Sequence, residues 1–294
     1  MHAITSHDAI QSRRSELKFT IDESQSLGIR QYLGARLRPD PHGISGGYPV
    51  CSVYLDTPDN RLYLQTCQGV RNRYKLRVRI YDDQWGHPAF LEIKRRDGKA
   101  VKKQRARVDR TLAAALLSGR YASLADSTVS GGAQPSQDDW AAFHEFCRLR
   151  DIIGAVGTTY VCYQREAYVS PFRSDWRATF DRNLVAGVYR PGSPLEIPGE
   201  VVKTDWHGKV VFELKFTNRF PNWMQDLVRT FNLTPGPFPK YLTCRDAIVP
   251  RSSDHNPCSS DHRPYRPDQN SGSDSSVSRS SRTRRSVAKT RGRS

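Results

Sequence analysis

Apolar and polar residues alternate along much of the chain, and this alternation predicts an antiparallel β-structure. In residues 74–81, Leu76, Val78 and Ile80 would share one face of a strand while charged side chains occupy the other. Asp97 and Gly98 mark a tight hairpin between two such runs. The predicted strands are 16–21, 50–56, 74–81, 90–96, 101–108, 158–169, 177–181, 185–189 and 210–217.

Apolar residues at helical spacing predict helices between these strands. Asp22 is placed to cap the first of them. The predicted helices are 24–37, 61–66, 110–117, 138–150 and 222–232. The proline-rich segment 235–240 is expected to end the folded part.

Each of the clearest predicted strands has one apolar and one charged face, which leaves two arrangements open. In an ordinary antiparallel sheet the charged face lies in water. In the other arrangement the helices cover the apolar faces, and the charged faces converge. The cations that would then meet are Lys75, Arg77, Arg79, Lys94, Arg96, Lys103 and Arg105. Because their repulsion requires water or an anion between them, this arrangement predicts a barrel with a wet, cationic interior that suits a polyphosphate.

The charge balance of the whole chain points to the same class of partner. The 294 residues include 46 Lys and Arg against 30 Asp and Glu, a formal net charge of +16. Residues 251–294 contribute ten Lys and Arg against four Asp, so about +10 belongs to the rest of the chain. The body is therefore basic by itself, and we expect a polyanionic partner. The tail is expected to be disordered, either as a solubilising extension or as a contact for nucleic acid or another polyanion.

Several classes of protein are excluded. The apolar stretches are far shorter than the roughly 20 residues that span a bilayer. The first residues lack the apolar core of a signal peptide, so we expect a cytoplasmic protein. The six cysteines show no zinc-type spacing, and we expect reduced thiols, with Cys51 and Cys162 buried.

Nine short motifs occur in order between residues 14 and 248. They are RSELKF, SVYLDT, YKLRVRIY, FLEIKRR, VKKQRARV, YQREAY, RATFD, FELKF and FPKY. Together they resemble the VTC domain, the polyphosphate polymerase module of the triphosphate tunnel metalloenzyme (CYTH-like) superfamily. The resemblance implies an α+β fold in which an antiparallel β tunnel barrel carries helices on its outside. This domain would span 14–250, between a flexible leader, 1–13, and the disordered Ser- and Arg-rich tail, 251–294.

The resemblance also implies a reaction, the transfer of the terminal phosphate of ATP to a growing polyphosphate chain inside the tunnel, with Mn2+ or Mg2+ as cofactor. The residues that match the family's catalytic, phosphate-binding positions are Lys18, Arg77, Arg79, Lys94, Arg165, Arg177 and Lys240. Lys103 and Lys215 match further phosphate-binding positions, although Lys102 and Arg105 leave the register at Lys103 open. Glu213 matches the metal-binding glutamate, with Glu16 and Glu92 as additional candidate ligands. The alternative for Glu213 is an internal salt bridge with Lys215 or a neighbouring arginine.

One departure from the wider superfamily bears on the reaction. Tunnel triphosphatases begin with E-x-E-x-K, whereas Arg14, Glu16 and Lys18 give R-x-E-x-K here. One acidic residue fewer favours holding a long polyanion over hydrolysing a short one, and so favours a polymerase. Two alternatives remain, a tunnel triphosphatase acting on nucleoside triphosphates or tripolyphosphate, and a non-catalytic polyphosphate- or polyanion-binding protein.

Overall fold

The computed structural model describes residues 14–43, 46–98, 100–126, 135–172 and 176–249, and all statements below concern these residues. The strands are β1 (Arg14–Ile21), β2 (Arg38–Pro39), β3 (Tyr48–Asp56), β4 (Asn72–Ile80), β5 (Ala89–Asp97), β6 (Ala100–Val108), β7 (Val156–Val169), β8 (Arg177–Val188), β9 (Val202–Lys203) and β10 (Val210–Thr217). The helices are α1 (Glu23–Gly34), α2 (Arg61–Cys67), α3 (Arg110–Leu117), α4 (Gln137–Ile153), α5 (Asn222–Thr230) and α6 (Lys240–Ile248).

All strands belong to one antiparallel sheet. Its order is β1-β10-β8-β7-β3-β4-β5-β6, with β2 paired to β7 and β9 paired to β8. The two end strands, β1 and β6, are not paired with each other in the described part of the chain, so backbone hydrogen bonds do not close the sheet. The predicted α+β class and antiparallel architecture are confirmed.

The sheet curls until its two halves face each other. Lys94 on β5 and Glu213 on β10 lie five strands apart in the order, which would separate them by about 24 Å in a flat sheet. The charge of Glu213 nevertheless acts on the pKa of Lys94, and the charge of Lys94 acts on the pKa of Lys18 on β1. We call the concave side that carries these three residues the inner face, and the opposite side the outer face.

On the outer face, apolar positions of the strands pack against helices in two cores. In one half, Val78 and Ile93 form a core with Leu116 of α3 and Phe146 of α4. In the other half, a second core joins strands β1, β8 and β10 to α1 and α5; it includes Phe19, Ile29, Phe180, Phe212 and Leu227. This packing confirms the prediction that helices cover the apolar faces and leave the charged faces to converge. Burying these aliphatic and aromatic side chains is the main favourable contribution to folding.

Helix α6 lies on the inner face, where the sequence predicted no element. Its residues Tyr241, Leu242 and Cys244 pack on Val161 and Ala186 of the sheet. The expectation that the folded part ends at 235–240 is therefore wrong. The prolines that break the chain before Lys240 are compatible with the start of a helix, because the first turn leaves its N–H groups without partners in any case.

Two further expectations need correction. Residues 177–181 and 185–189 were predicted as separate strands, but they form the single strand β8, because Asn183 adopts a left-handed conformation that asparagine tolerates. Cys51 and Cys162 are buried as predicted, yet they form a disulfide rather than free thiols. They are 111 residues apart and meet as direct partners across β3 and β7, which sequence spacing does not reveal.

The predicted leader, 1–13, and tail, 251–294, lie outside the described residues, so the division into three parts stays a prediction. No helix in the described ranges is long and apolar enough to cross a membrane.

Candidate functional site

Glu92 on β5 is buried beneath four cations on the inner face. Its Oε2 accepts a hydrogen bond from Arg77 Nε at 2.7 Å, and Arg79 Nη1 lies 3.7 Å from the same oxygen. Lys103 Nζ and Arg105 Nε on β6 lie 2.7 and 3.4 Å from Oε1. Although burial opposes its charge, these cations hold the pKa of Glu92 far below its usual range. Lys103 and Arg105 both reach Glu92 on the inner face, whereas Lys102 alternates with them, so Lys103 and Arg105 both stay candidates for the phosphate-binding position.

Glu213 on β10 lies in a second cluster of the same kind. Lys18 on β1 and Lys240 at the start of α6 donate to its Oε1 at 3.0 and 2.9 Å. Lys215 Nζ lies 3.1 Å and Arg165 Nη2 3.8 Å from Oε2. Burial opposes the charge of the carboxyl, but the surrounding cations hold its pKa well below the usual value. Each half of the sheet therefore holds four cations around one buried glutamate.

Asp181 on β8 is a member of the Glu213 cluster that the sequence did not reveal. Arg165 donates to both of its carboxylate oxygens, at 2.6 and 2.7 Å, and Lys240 Nζ lies 2.6 Å from Oδ2. Burial alone would lower the pKa of Arg165, but Asp181 raises it above its ordinary value. The signal that could have found Asp181 is alternation, because it lies on the same face of RATFD as Arg177.

Lys75 and Lys94 lie between the two clusters as a register pair on β4 and β5. No ion pair with a carboxylate is formed by either lysine within the described ranges. Burial, followed by the positive charge of Lys94, lowers the pKa of Lys75 to about 7. Burial and then Arg77 lower the pKa of Lys94 as well. Lys75 was predicted on the charged face but was not assigned a phosphate-binding role, although it lies two residues from Arg77 on the same face of β4.

Arg177 lies at the start of β8, beside Lys215 in register. One of its terminal nitrogens donates to Asp40 Oδ2 at 2.9 Å and to the Tyr48 hydroxyl at 3.0 Å. Its Nε is buried without a hydrogen-bond partner in the described residues. This guanidinium thus has an unused donor at the edge of the Glu213 cluster.

A divalent metal would find oxygen donors at Glu213. Thr179 is its direct partner on β8, and the buried Thr179 hydroxyl has no hydrogen-bond partner among the described residues. Glu16 forms an ion pair with Lys18, which also holds Glu213. A group of three or more acidic, His or Cys side chains that could hold a metal by themselves is not found in the described ranges. The donors therefore fit Mg2+ or Mn2+ carried on phosphate, because such ions use one or two carboxylates together with phosphate oxygens and water.

Every predicted site residue thus lies on the inner face, divided between the two clusters and their borders. Glu92, one of the candidate metal ligands, differs from Glu213 in its register partners: they are the arginines Arg77 and Arg105, whereas the partner of Glu213 on β8 is Thr179. Its contacts are those of a counter-ion that holds the cations of β4 and β6 in place.

The described residues thus form a curled antiparallel sheet whose inner face carries more cations than carboxylates. A family model described as the VTC domain matches residues 13–249. The chain belongs to this family, which confirms the resemblance read from its motifs. Family and fold together support a function on polyphosphate or on a triphosphate.

Among solved structures, two of the matches have low sequence identity to this chain. One is a candidate adenylate cyclase from Bacillus halodurans, with 13% identity and a TM-score of 0.42, covering 77% of this chain and 94% of the other. The other is the Schizosaccharomyces pombe Mediator head module, with 10% identity and a TM-score of 0.38, covering 74% and 90%. No curated protein sequence matches the chain.

Proposed function

We propose that the protein is a polyphosphate polymerase that transfers the terminal phosphate of ATP to a growing polyphosphate chain. The observation that carries the proposal is the pair of four-cation clusters joined by Lys75 and Lys94. Cations outnumber carboxylates along this surface, and a chain of phosphates supplies the missing negative charge in a continuous line.

The proposed reaction needs no covalent intermediate with a protein side chain. A terminal oxygen of the chain attacks the γ-phosphorus of ATP, the bond to the β-phosphate oxygen breaks, and ADP leaves with that electron pair. Arg77, Arg165 and Arg177 offer planar forks to phosphate oxygens, and Lys18 and Lys240 act as point charges. These groups align the reactants and neutralise the charge that develops during transfer.

The cofactor belongs to the same proposal. Glu213, with Thr179 beside it and Glu16 nearby, would hold Mn2+ or Mg2+ against the phosphates. When bound, such an ion neutralises phosphate charge and polarises the phosphorus–oxygen bond. The proposed substrates are ATP and inorganic polyphosphate, and the proposed location is the cytoplasm.

Glu213→Gln tests this assignment because the amide keeps the size of the side chain and removes its charge. We expect polyphosphate synthesis to fall by at least about a hundredfold, the usual cost of losing one electrostatic contributor to a transition state. Binding of long-chain polyphosphate is expected to stay as tight or become tighter, since a negative charge is lost from the cationic surface. Synthesis is followed by ADP release and gel analysis of the product, and binding by titration calorimetry.

Glu145→Gln is the matched control, because Glu145 is also held by two arginines but lies on α4 outside the sheet. Its activity should equal that of the unaltered protein. Equal synthesis in both variants would contradict the proposal. Release of free phosphate as the sole product would favour the triphosphatase, and binding without turnover would favour a polyanion-binding protein.

A further inference from the structure

Three arginines gather beyond the predicted site, where the β5–β6 turn meets the start of β4. Arg73 and Arg96 are direct partners across β4 and β5, two residues nearer the β5–β6 turn than the pair Lys75 and Lys94. Because residues two apart on a strand share a face, Arg73 and Arg96 continue the inner face toward the turn. Arg96 is among the cations predicted to converge, but neither residue was assigned a phosphate-binding position from the family's motifs.

Two of these arginines, Arg71 and Arg96, lie against Gly98 of the turn. Arg96 Nε donates to the carbonyl oxygen of Gly98 at 3.1 Å. The Arg71 Nε lies 3.3 Å from the place a Cβ would occupy on Gly98, which has a φ of 56°. Asn72 accepts a hydrogen bond from Gly98 N at 3.1 Å and so ties the turn to β4. Arg73 donates to the Val70 carbonyl at 2.5 Å.

The charge of these arginines is not neutralised by the rest of the fold. Arg73 and Arg96 donate to backbone carbonyls, and in the described part of the chain none of the three arginines forms an ion pair with a carboxylate. Burial, followed by the neighbouring charge of Arg96, lowers the pKa of Arg73. Adjacent guanidinium groups repel each other unless an anion lies between them. The arrangement therefore suits an external anion.

The two ends of the inner face differ in their side chains: one end has aromatic rings that suit a nucleotide, and the other has arginines alone, which suit a polymer of phosphates. Near Arg105, at the end away from the turn, the rings of Tyr48, Tyr81 and Phe90 contact one another, and Arg105 lies 3.7 Å above the Phe90 ring. Such rings can stack on a nucleobase. The three arginines at the turn have no ring contact in the described residues. That end offers charge alone, which matches a chain of phosphates.

We propose that Arg71, Arg73 and Arg96 form an outer anion-binding site for the part of a linear polyphosphate chain that extends past Lys75 and Lys94. The inference rests on the proposed function in naming polyphosphate as the ligand. It adds a direction, since the nucleotide lies at the aromatic end and the polymer leaves at the arginine end. A short anion that fills only the two clusters does not reach the outer site.

The double variant Arg73→Gln/Arg96→Gln tests the site by binding, which requires no turnover. We expect its affinity for long-chain polyphosphate to fall by about tenfold or more, because two charge-assisted contacts are lost. The slope of log affinity against log salt should decrease by about two. Affinity for tripolyphosphate should stay within about twofold of the original and also shows that the variant is folded.

The matched control is Arg190→Gln/Arg229→Gln, which removes the same charge from exposed positions on the outside of the protein. An equal loss of polyphosphate affinity in the control, or no loss in the test variant, would overturn the outer site. An equal loss for tripolyphosphate and long-chain polyphosphate would do so too. Arg73→Lys/Arg96→Lys should recover most of the affinity. If the protein synthesises no polyphosphate while these differences in binding persist, the proposed reaction is wrong and the outer site is still supported.

Discussion

Lys75 shows how the inner face of the curled sheet depends on its ligand. It lies 5.6 Å from the centre of the Tyr241 ring and beside Lys94, Arg73 and Arg77. Burial and these like charges favour the neutral amine, which gives the pKa of about 7. A bound polyphosphate reverses the balance, because its negative charge favours the ammonium form.

Binding of polyphosphate at pH 8 is therefore expected to take up protons from solution. Titration calorimetry in two buffers of different ionisation enthalpy measures this uptake. Lys75→Gln should reduce it by up to about one proton, whereas Lys203→Gln, an exposed control on β9, should leave it unchanged. Equal uptake in all three proteins would contradict the assignment of Lys75.

The same pKa fixes the sign of a pH effect on stability without ligand. Unfolded Lys75 keeps its proton to about pH 10.5, whereas the folded lysine loses it near pH 7. Between these values the unfolded chain binds more protons, so the free energy of unfolding rises with pH. The rise from pH 7 to 8.5, measured by urea denaturation, should be smaller in Lys75→Gln.

At the scale of elements, α6 is connected to the sheet and to α2 through Asp56. This buried carboxylate at the end of β3 accepts hydrogen bonds from the backbone N–H groups of Thr57, Leu62 and Tyr63 at 2.8 to 2.9 Å. Tyr241 of α6 donates its hydroxyl to Asp56 at 2.6 Å. Its ring stacks on Tyr54, whose hydroxyl accepts a hydrogen bond from Arg77. The helix α6 is thus connected, through Tyr241 and Tyr54, to Arg77, one of the proposed phosphate-binding arginines.

Tyr241→Phe removes the hydroxyl and keeps the ring. We expect the free energy of unfolding to fall by about 1–2 kcal/mol, because a hydrogen bond to a buried charged group is lost. Urea denaturation measures the change. Tyr121→Phe is the control, since Tyr121 is 89% exposed, and it should cost nothing measurable. An unchanged midpoint in both variants would show that this bond does not hold α6.

The sequence predicted β4, β5 and β10 because apolar and charged residues alternate along them, and their charged residues do meet across strands, as Arg77 and Glu92 do. It also predicted the outward direction of the apolar faces, since helices need such a surface. It could not predict contacts that depend on which strands become neighbours. Asp181 and the Cys51–Cys162 pair are of this kind, and so is α6, whose apolar residues are too few to stand out beside the prolines that precede it.

At the scale of the whole molecule, the two clusters leave the free protein with unbalanced positive charge on its inner face. Glu92 and Glu213 neutralise part of it. A ligand that binds the folded chain and supplies further negative charge stabilises it by mass action. The stabilisation weakens as salt screens the charges.

Long-chain polyphosphate is therefore expected to raise the thermal midpoint of the protein, and the increase should shrink as NaCl is raised. Lys94→Gln should reduce the increase, because Lys94 lies between the clusters. Lys102→Gln is its matched control, since Lys102 is exposed on β6 and alternates with the inner-face residue Lys103. An increase in the thermal midpoint that is insensitive to salt, or equal in both variants, would contradict a polyphosphate-binding role for Lys94 on the inner face.

Following the terminal phosphate of ATP is the most direct test of whether the protein transfers it to polyphosphate. The protein is incubated with Mn2+ and ATP labelled on that phosphate, and ADP, free phosphate and polymer are quantified together on one gel. We expect label in chains of increasing length, in amounts equal to the ADP formed, with little free phosphate. Label that appears as free phosphate in step with ADP, with no polymer, would contradict this expectation.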